Sequence, residues 1–296
     1  MAATGGEPLG APPARPTLDV IVVSYRSRAT IAAALRSTRH LDRTFEVRWV
    51  VHDNAGDDEL LAQVSLLADE AGIRCRRTSC PDNCGFAAAC NTEARASDAD
   101  FLLFLNPDAE ILAVPPQWRP GPGIQGPSIV DAAGNEYPMH GRDRTVWTEV
   151  ELRAGRRQPG PRGHGFISGA CLLIDRPAFE ALEGFDERFY MYYEDVDLGL
   201  RASAAGLVVR EVPQWQVLHV GGESSGGDKT RVAAISARSA LYFHRKHGHA
   251  WRLYGTAMAG YFAARTVVAP DPAVRAMCAT YARTYLRGAL GRPTSL

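Results

Sequence analysis

The chain has 296 residues, of which 46% are hydrophobic and 22% charged. That composition excludes a disordered or low-complexity chain, and no apolar run approaches the roughly 18 residues a membrane-spanning helix needs. Lys+Arg 33 against Asp+Glu 33 gives no net charge, but eleven Lys/Arg and one acid (Asp271) lie from Lys229 onward, making that segment +10 and the first 228 residues −10. A basic tail on an acidic body fits an anionic partner, a phospholipid surface or pyrophosphate-linked substrate, or a tail folded back on the body. No nucleic acid partner is expected.

Residues 1–16 hold one Arg and no apolar core of a leader, so they read as a disordered lead-in. Leu18–Tyr25, Phe45–Asp53, Ile73–Thr78 and Phe101–Leu105 are short strands. Between them run helical segments over Thr30–Arg39, Glu59–Ala71 and from a cap at Asn83 to Ala96. This alternation predicts an α/β fold with a mostly parallel sheet, whose ligands sit beyond the carboxyl ends of the strands. Val114–Pro127 is Pro/Gly-rich and irregular, Ser128–Met139 could form a hairpin, and Arg153–Gly165 reads as a mobile loop. Order resumes at Phe166–Ile174 and a helix start near Pro177. Six irregularly spaced cysteines suit reduced thiols in an intracellular chain. They include no C-x-x-C pair, and Cys80-Pro-Asp-Asn-Cys84 makes a poor zinc half-site.

Four clusters carry chemistry. Asp53-Asn54 with Asp57-Asp58 closes the second strand, where a carboxylate can accept from a pyrimidine N–H or build a turn. Asn106-Pro107-Asp108 follows the fourth strand; its carboxylate suits a hard divalent cation, or the triplet is a plain turn. Asp98 and Asp100 share the D-x-D spacing but lie at the wrong end of the sheet. Glu194, Asp195 and Asp197 adjoin Phe189, Tyr190, Tyr192 and Tyr193, an environment that suits a general base or, alternatively, acids at a helix N-terminus. His219 opens a glycine-rich stretch, 221–227, and suits a metal ligand only in company.

Taken in order, DVIVVSYRS, VVHDNAGDD, DNCGFAAACN, FLLFLNPDAEI, ISGACLLIDR, GFDERFYMYYEDVDLGLR and VLHVGGESSG resemble the family 2 inverting glycosyltransferases, particularly the rhamnosyltransferase-like branch. The resemblance covers residues 17 to 250 and implies a GT-A fold, with a nucleotide half (17–112), an acceptor half (113–228) and a basic helical extension (229–296). It places Ser24 and Tyr25 by the nucleotide and Asp53 on the base. Asn83, Gly85, Phe86 and Asn91 match the segment closing over the nucleotide. Asp108 matches the last position of the D-x-D metal motif with Asn106 at its first, His219 the second metal ligand, and Asp195 of the Glu194-Asp195 pair the catalytic base. Mg²⁺ or Mn²⁺, helped by Lys229 or Arg231, would stabilise the departing dTDP or UDP, and Arg26 stands where relatives often carry Asn. The implied reaction moves a rhamnose-like or other hexose to an acceptor hydroxyl. The acceptor is a lipid-linked glycan of the cell envelope, at the cytoplasmic membrane face, or alternatively a small metabolite. A sugar nucleotidyltransferase would need a glycine-rich loop after the first strand, and SYRSRAT has none. A non-catalytic sugar-binding protein would lack the base or a metal ligand, and both are present.

Trp251, Tyr254, Met258, Tyr261 and Phe262 fall on one helical face. Val274, Met277, Tyr281 and Tyr285 recur at the same spacing, with Arg275, Arg283 and Arg287 elsewhere. The pattern serves a helix lying in a headgroup layer or a helix pair packed on the body.

Overall fold

The computed structural model describes residues 14–136, 165–219 and 228–293. Most of the expected lead-in, the 153–164 loop, the far arm of the expected hairpin and the glycine stretch 221–227 lie outside the described residues. One eight-stranded sheet carries the fold, comprising β1 (Thr17–Ser24), β2 (Glu46–Asp53), β3 (Cys75–Ser79), β4 (Phe101–Leu105), β5 (Ala109–Ala113), β6 (Ile124–Val130), β7 (Cys171–Asp175) and β8 (Val209–His219). Its order is β3-β2-β1-β4-β7-β6-β8-β5.

The first half is parallel: β1 pairs in parallel with β2 and β4, and β2 with β3. Alternate residues of these strands enter two cores. Leu18, Val20, Val22, Leu103 and Leu105 pack on one face, and Ile21, Val23, Leu102 and Phe104 on the other. Burial on both faces accounts for the unbroken apolar runs. The helices α1 (Ile31–Ser37), α2 (Asp58–Ala71) and α3 (Phe86–Arg95) connect them. The second half adds antiparallel strands to this parallel sheet. β7 runs antiparallel to β4 and β6, and β8 antiparallel to β5 but parallel to β6. Of the expected hairpin over Ser128–Met139, Ser128–Val130 form the end of β6 and an antiparallel Val130–Glu136 bridge spans the turn.

Helix α3 starts later than expected. Gly85, at φ +89°, is its N-cap, while Asn83 sits at φ +50° and accepts from the Gly85 N–H (3.2 Å). A short helix, α4 (Arg176–Ala181), and α5 (Glu194–Ala204) follow β7.

The extension folds into three helices, α6 (Lys229–Lys246), α7 (Trp251–Val268) and α8 (Pro272–Ala289). The aromatic face is buried among them: Tyr254, Met258, Phe262 and Tyr285 form a core in which Phe262 stacks on Tyr281 at 4.3 Å. The helix-pair reading of that face holds, and the headgroup reading of it is corrected, because these apolar side chains already cover one another. The extension also grips the body. Asp197 is fully buried and meets Arg201 (2.8 Å), Lys246 (2.6 Å) and His247 (2.9 Å). Lys246 bridges on to Asp186 at 2.8 Å. Asp197→Ala would leave Arg201 without a carboxylate and Lys246 with Asp186 alone, so it is expected to cost about 3 kcal/mol of folding stability, measured by urea unfolding. A loss below about 1 kcal/mol would mean that water replaces the lost carboxylate.

Candidate active site

The carboxyl ends of β1, β2 and β4 face the same side of the sheet, and the candidate residues gather there. The turn after β4 places the metal-capable pair. Ala109 N–H donates to the Asn106 carbonyl (3.1 Å), turning the chain into β5, and the β5–β8 register sets Ala109 opposite His219. His219 Nε2 therefore stands 3.3 Å from Asp108 Oδ1 and 3.3 Å from Asn106 Nδ2. Asp108 Oδ1 is buried without a hydrogen-bond partner among the described residues. With the Asn106 amide donating to Nε2, two lone-pair atoms face each other, an arrangement that a cation between or beside them would satisfy. Two ligands on one edge of an octahedron around a small divalent ion lie about 3 Å apart, so this carboxylate–imidazole pair fits Mg²⁺ or Mn²⁺.

The second element is the acidic start of α5. Tyr192 and Tyr193 both have positive φ, +72° and +70°. Consecutive left-handed residues without glycine are costly and persist only where the surroundings impose them. Here α6 does so: Ser239 Oγ donates to the Met191 carbonyl (2.8 Å), and Phe243 packs on Tyr193 with ring centroids 5.3 Å apart. The kink aims Asp195 inward, where Oδ2 accepts from the Gly169 N–H (2.9 Å) and Oδ1 from the Val196 N–H (2.8 Å). Glu194 is buried beside it, and burial together with the Asp195 charge pushes its carboxyl well above the usual range. The pair thus sets a buried carboxyl with a raised affinity for its proton, Glu194, beside an Asp195 whose two oxygens each accept a backbone N–H. Asp197, the third acid, is committed to Arg201, Lys246 and His247.

A raised carboxyl has a defined sign. The stability it supports is full below the unfolded value of about 4.3 and is lost as pH rises through the folded value. Glu194→Gln removes that loss. The Tm of the variant minus that of wild type should grow between pH 5 and pH 8; a difference independent of pH would place the charge on Glu194.

The nucleotide-side residues divide. Gly85 is required by contact as well as by φ, since a Cβ there would lie 2.6 Å from the Tyr190 carbonyl. Phe86 N–H donates to that same carbonyl (2.8 Å), and Tyr190 Oη donates to the Asn83 carbonyl (3.3 Å) while receiving Arg231 at 3.4 Å. Asn83, Gly85, Phe86 and Arg231 thus form one unit around Tyr190, a residue for which sequence reading assigned no role. Asn91 is directed elsewhere: its amide donates to Phe185 O (2.8 Å) and Glu187 (3.0 Å) and accepts from Phe185 N (2.9 Å). It holds the segment leading to α5. Asp53 is fully buried, and its two oxygens accept from the N–H groups of Ala55 (3.1 Å) and Asp57 (2.5 Å). The turn reading of that cluster is therefore built into the structure. Ser24 Oγ is buried without a partner among the described residues, Tyr25 is half-buried, and Arg26 is exposed over the Tyr25 ring at 5.2 Å. Lys229 is exposed at the first turn of α6; the Asp271 carboxyl, lowered chiefly by hydrogen bonds from the Val274 and Ala273 N–H groups, also feels its charge. Gly169, which supplies an N–H to Asp195, lies in the quoted ISGAC text but could not be singled out there, since backbone donors leave no side-chain signal.

Residues 19–182 match the family described as Glycosyl transferase family 2. A 179-residue stretch is 35% identical to the N-acetylglucosaminyl-diphospho-decaprenol L-rhamnosyltransferase of Mycobacterium tuberculosis, covering 52% of this chain and 58% of that protein. The matched stretch is thus little more than half the length of that relative. Another, of 157 residues, is 32% identical to the O-antigen biosynthesis protein RfbC of Myxococcus xanthus, covering 45% of this chain and 12% of that one. Among solved structures, the mannosyltransferase PcManGT of Pyrobaculum calidifontis, determined with GDP-mannose and Mn²⁺, superposes with a TM-score of 0.56 at 17% identity, covering 96% of this chain and 90% of that one. The fold of this chain is that of GT-A glycosyltransferases. No helix among the described residues is long and apolar enough to cross a membrane. With the family match spanning more than half of it, the chain belongs to glycosyltransferase family 2.

Proposed function

We propose that this protein is an inverting, divalent-metal-dependent glycosyltransferase that moves a rhamnose-like hexose from a dTDP- or UDP-sugar to a lipid-linked acceptor hydroxyl. The observation that carries it is the arrangement at one end of the sheet: Asp195, held by two backbone N–H groups beside the buried Glu194, and the Asp108–His219 pair, whose donors suit a divalent cation. Asp195 takes the proton from the acceptor hydroxyl as it attacks the anomeric carbon from the face opposite the leaving group. Asp108 and His219 would hold Mg²⁺ or Mn²⁺, which supplies charge neutralisation for the departing diphosphate. Arg231, carried by Tyr190, and Lys229 at the start of α6 add fixed positive charge there, and Arg26 contacts the diphosphate from the end of β1. Ser24, Tyr25 and the Asn83–Phe86 segment flank the nucleoside, with Asp53 holding the turn beneath the base. Residues 17–112 act as the nucleotide half, 113–228 as the acceptor half, and 229–296 as the brace.

Two observations favour the lipid-linked acceptor over a small metabolite. A cavity of about 490 Å³ between the body and the extension is lined by Arg188, Arg238, Arg245 and Arg292 with Tyr242 and Trp251, which suits a pyrophosphate. In addition, Val267 and Val268 at the end of α7 are 84% and 77% exposed, beside exposed Arg265 and Arg275. A tip of this kind suits peripheral contact with an anionic membrane at the cytoplasmic face. The protein should sediment with anionic liposomes at low salt and be released by high salt; indifference to such liposomes favours the metabolite reading. Thermal shift with dTDP, UDP and GDP, each with and without Mn²⁺ or Mg²⁺, tests the donor. Stabilisation by a nucleotide only when metal is present is the expected result.

A further inference from the structure

A second cluster of metal-ligating side chains lies behind the nucleotide segment, on residues the proposed reaction does not use. His52 on β2 and the thiols of Cys80 and Cys84 bring their ligand atoms within 4.8 Å of one another. Cys84 Sγ stands 3.7 Å from His52 Nε2. With zinc–sulfur and zinc–nitrogen bonds of about 2.3 and 2.0–2.1 Å, the S–N edge of a tetrahedron is about 3.6 Å, so the observed separation is that of two ligands on one zinc ion.

The surroundings of His52 are those of a metal ligand. Its Nδ1 is 2.8 Å from Glu93 Oε1, leaving Nε2 with a lone pair toward the thiols. Burial alone would raise the Glu93 carboxyl, but hydrogen bonds from His52 and Thr78 and the charge of Arg76 hold it below its usual value. A charged carboxylate on the far nitrogen fixes the imidazole tautomer and makes the near nitrogen a stronger donor. Cys84 Sγ rests against His52 and the Asn54 side chain (3.4 Å).

We propose that His52, Cys80 and Cys84 form a zinc site, distinct from the Asp108–His219 pair, with water in the fourth position. Thiolate and imidazole donors select zinc over the hard ions that suit a carboxylate. Two of the ligands adjoin residues of the nucleotide side: His52 precedes Asp53, and Cys84 precedes Gly85 in the segment that Tyr190 anchors. Bound zinc fastens the 80–86 segment to the end of β2, and its two thiolates release their protons on binding.

The test uses the full chain, purified with reduced thiols and freed of metal, titrated with Co²⁺ and then Zn²⁺. One Co²⁺ per chain with thiolate-to-cobalt charge-transfer absorption, displaced by Zn²⁺, is expected. Cys84→Ser and Cys80→Ser should each abolish that absorption, Glu93→Gln should weaken Zn²⁺ binding about 10–100-fold, and Asp108→Ala should leave the absorption intact. Release of Zn²⁺ from the wild-type chain by a mercurial thiol reagent gives the same answer should a variant not fold. Absence of the absorption in the wild type, its survival in both cysteine variants, or recovery of the purified chain with Cys80 and Cys84 joined as a disulfide would each overturn the site. None of these readouts depends on sugar transfer, so the zinc site and the proposed reaction can fail separately.

Discussion

Asp195→Asn is expected to lower turnover by at least about a hundredfold, the usual scale of a general base, while leaving nucleotide-sugar binding nearly unchanged. The carboxamide retains one oxygen for the Gly169 N–H and gives up the bond from the Val196 N–H, which lies in the first turn of α5. With the helix start held at Gly169, the capacity to accept the acceptor's proton is the main loss. A loss expressed in kcat with KM unchanged is the signature of an interaction made in the transition state. Near-normal turnover would remove Asp195 from its role. Asp197 would not inherit that role, because its oxygens are held by Arg201, Lys246 and His247.

The second large effect concerns the cation. EDTA should abolish transfer, and Asp108→Ala and His219→Ala should each raise the Mg²⁺ or Mn²⁺ concentration needed for half-maximal activity by tenfold or more, roughly the loss of one ligand. Asn106→Ala should have a smaller effect in the same direction, since the amide only orients His219 Nε2, 3.3 Å away. Full activity in chelator would mean that Arg231, Lys229 and Arg26 neutralise the diphosphate unaided. Nucleotide thermal shifts with and without metal separate that outcome from an inactive preparation.

Elements with local signatures were legible in the chain text. The central β1 and the β4 runs are apolar because both faces of the sheet are covered, and the end of α2 was marked by Gly72, which lies in the left-handed region. Asp108, His219 and Asp195 could be picked out by residue type and order. Their proximity could not, because it depends on the β5–β8 register and on the kink at Tyr192–Tyr193, both set by contacts between distant segments. Helix α3 begins at Phe86 rather than Asn83 for the same reason: the Tyr190 carbonyl, far along the chain, takes the Phe86 N–H.

Local sequence thus determined the parallel half of the sheet, the last two helices of the extension and the chemical identity of the site residues. Periodicity and capping act within a few residues and are written in the text. Tertiary structure decided that Glu194 is the acid whose carboxyl is raised, because burial and a like-charged neighbour are properties of the assembled pair. It also decided where the aromatic face of the extension points, because an apolar stripe does not specify its partner until another helix covers it. Finally, it brought His52, an unremarked strand residue, to two cysteines whose spacing alone indicated no metal site, since ligand geometry is set by chain segments meeting in space.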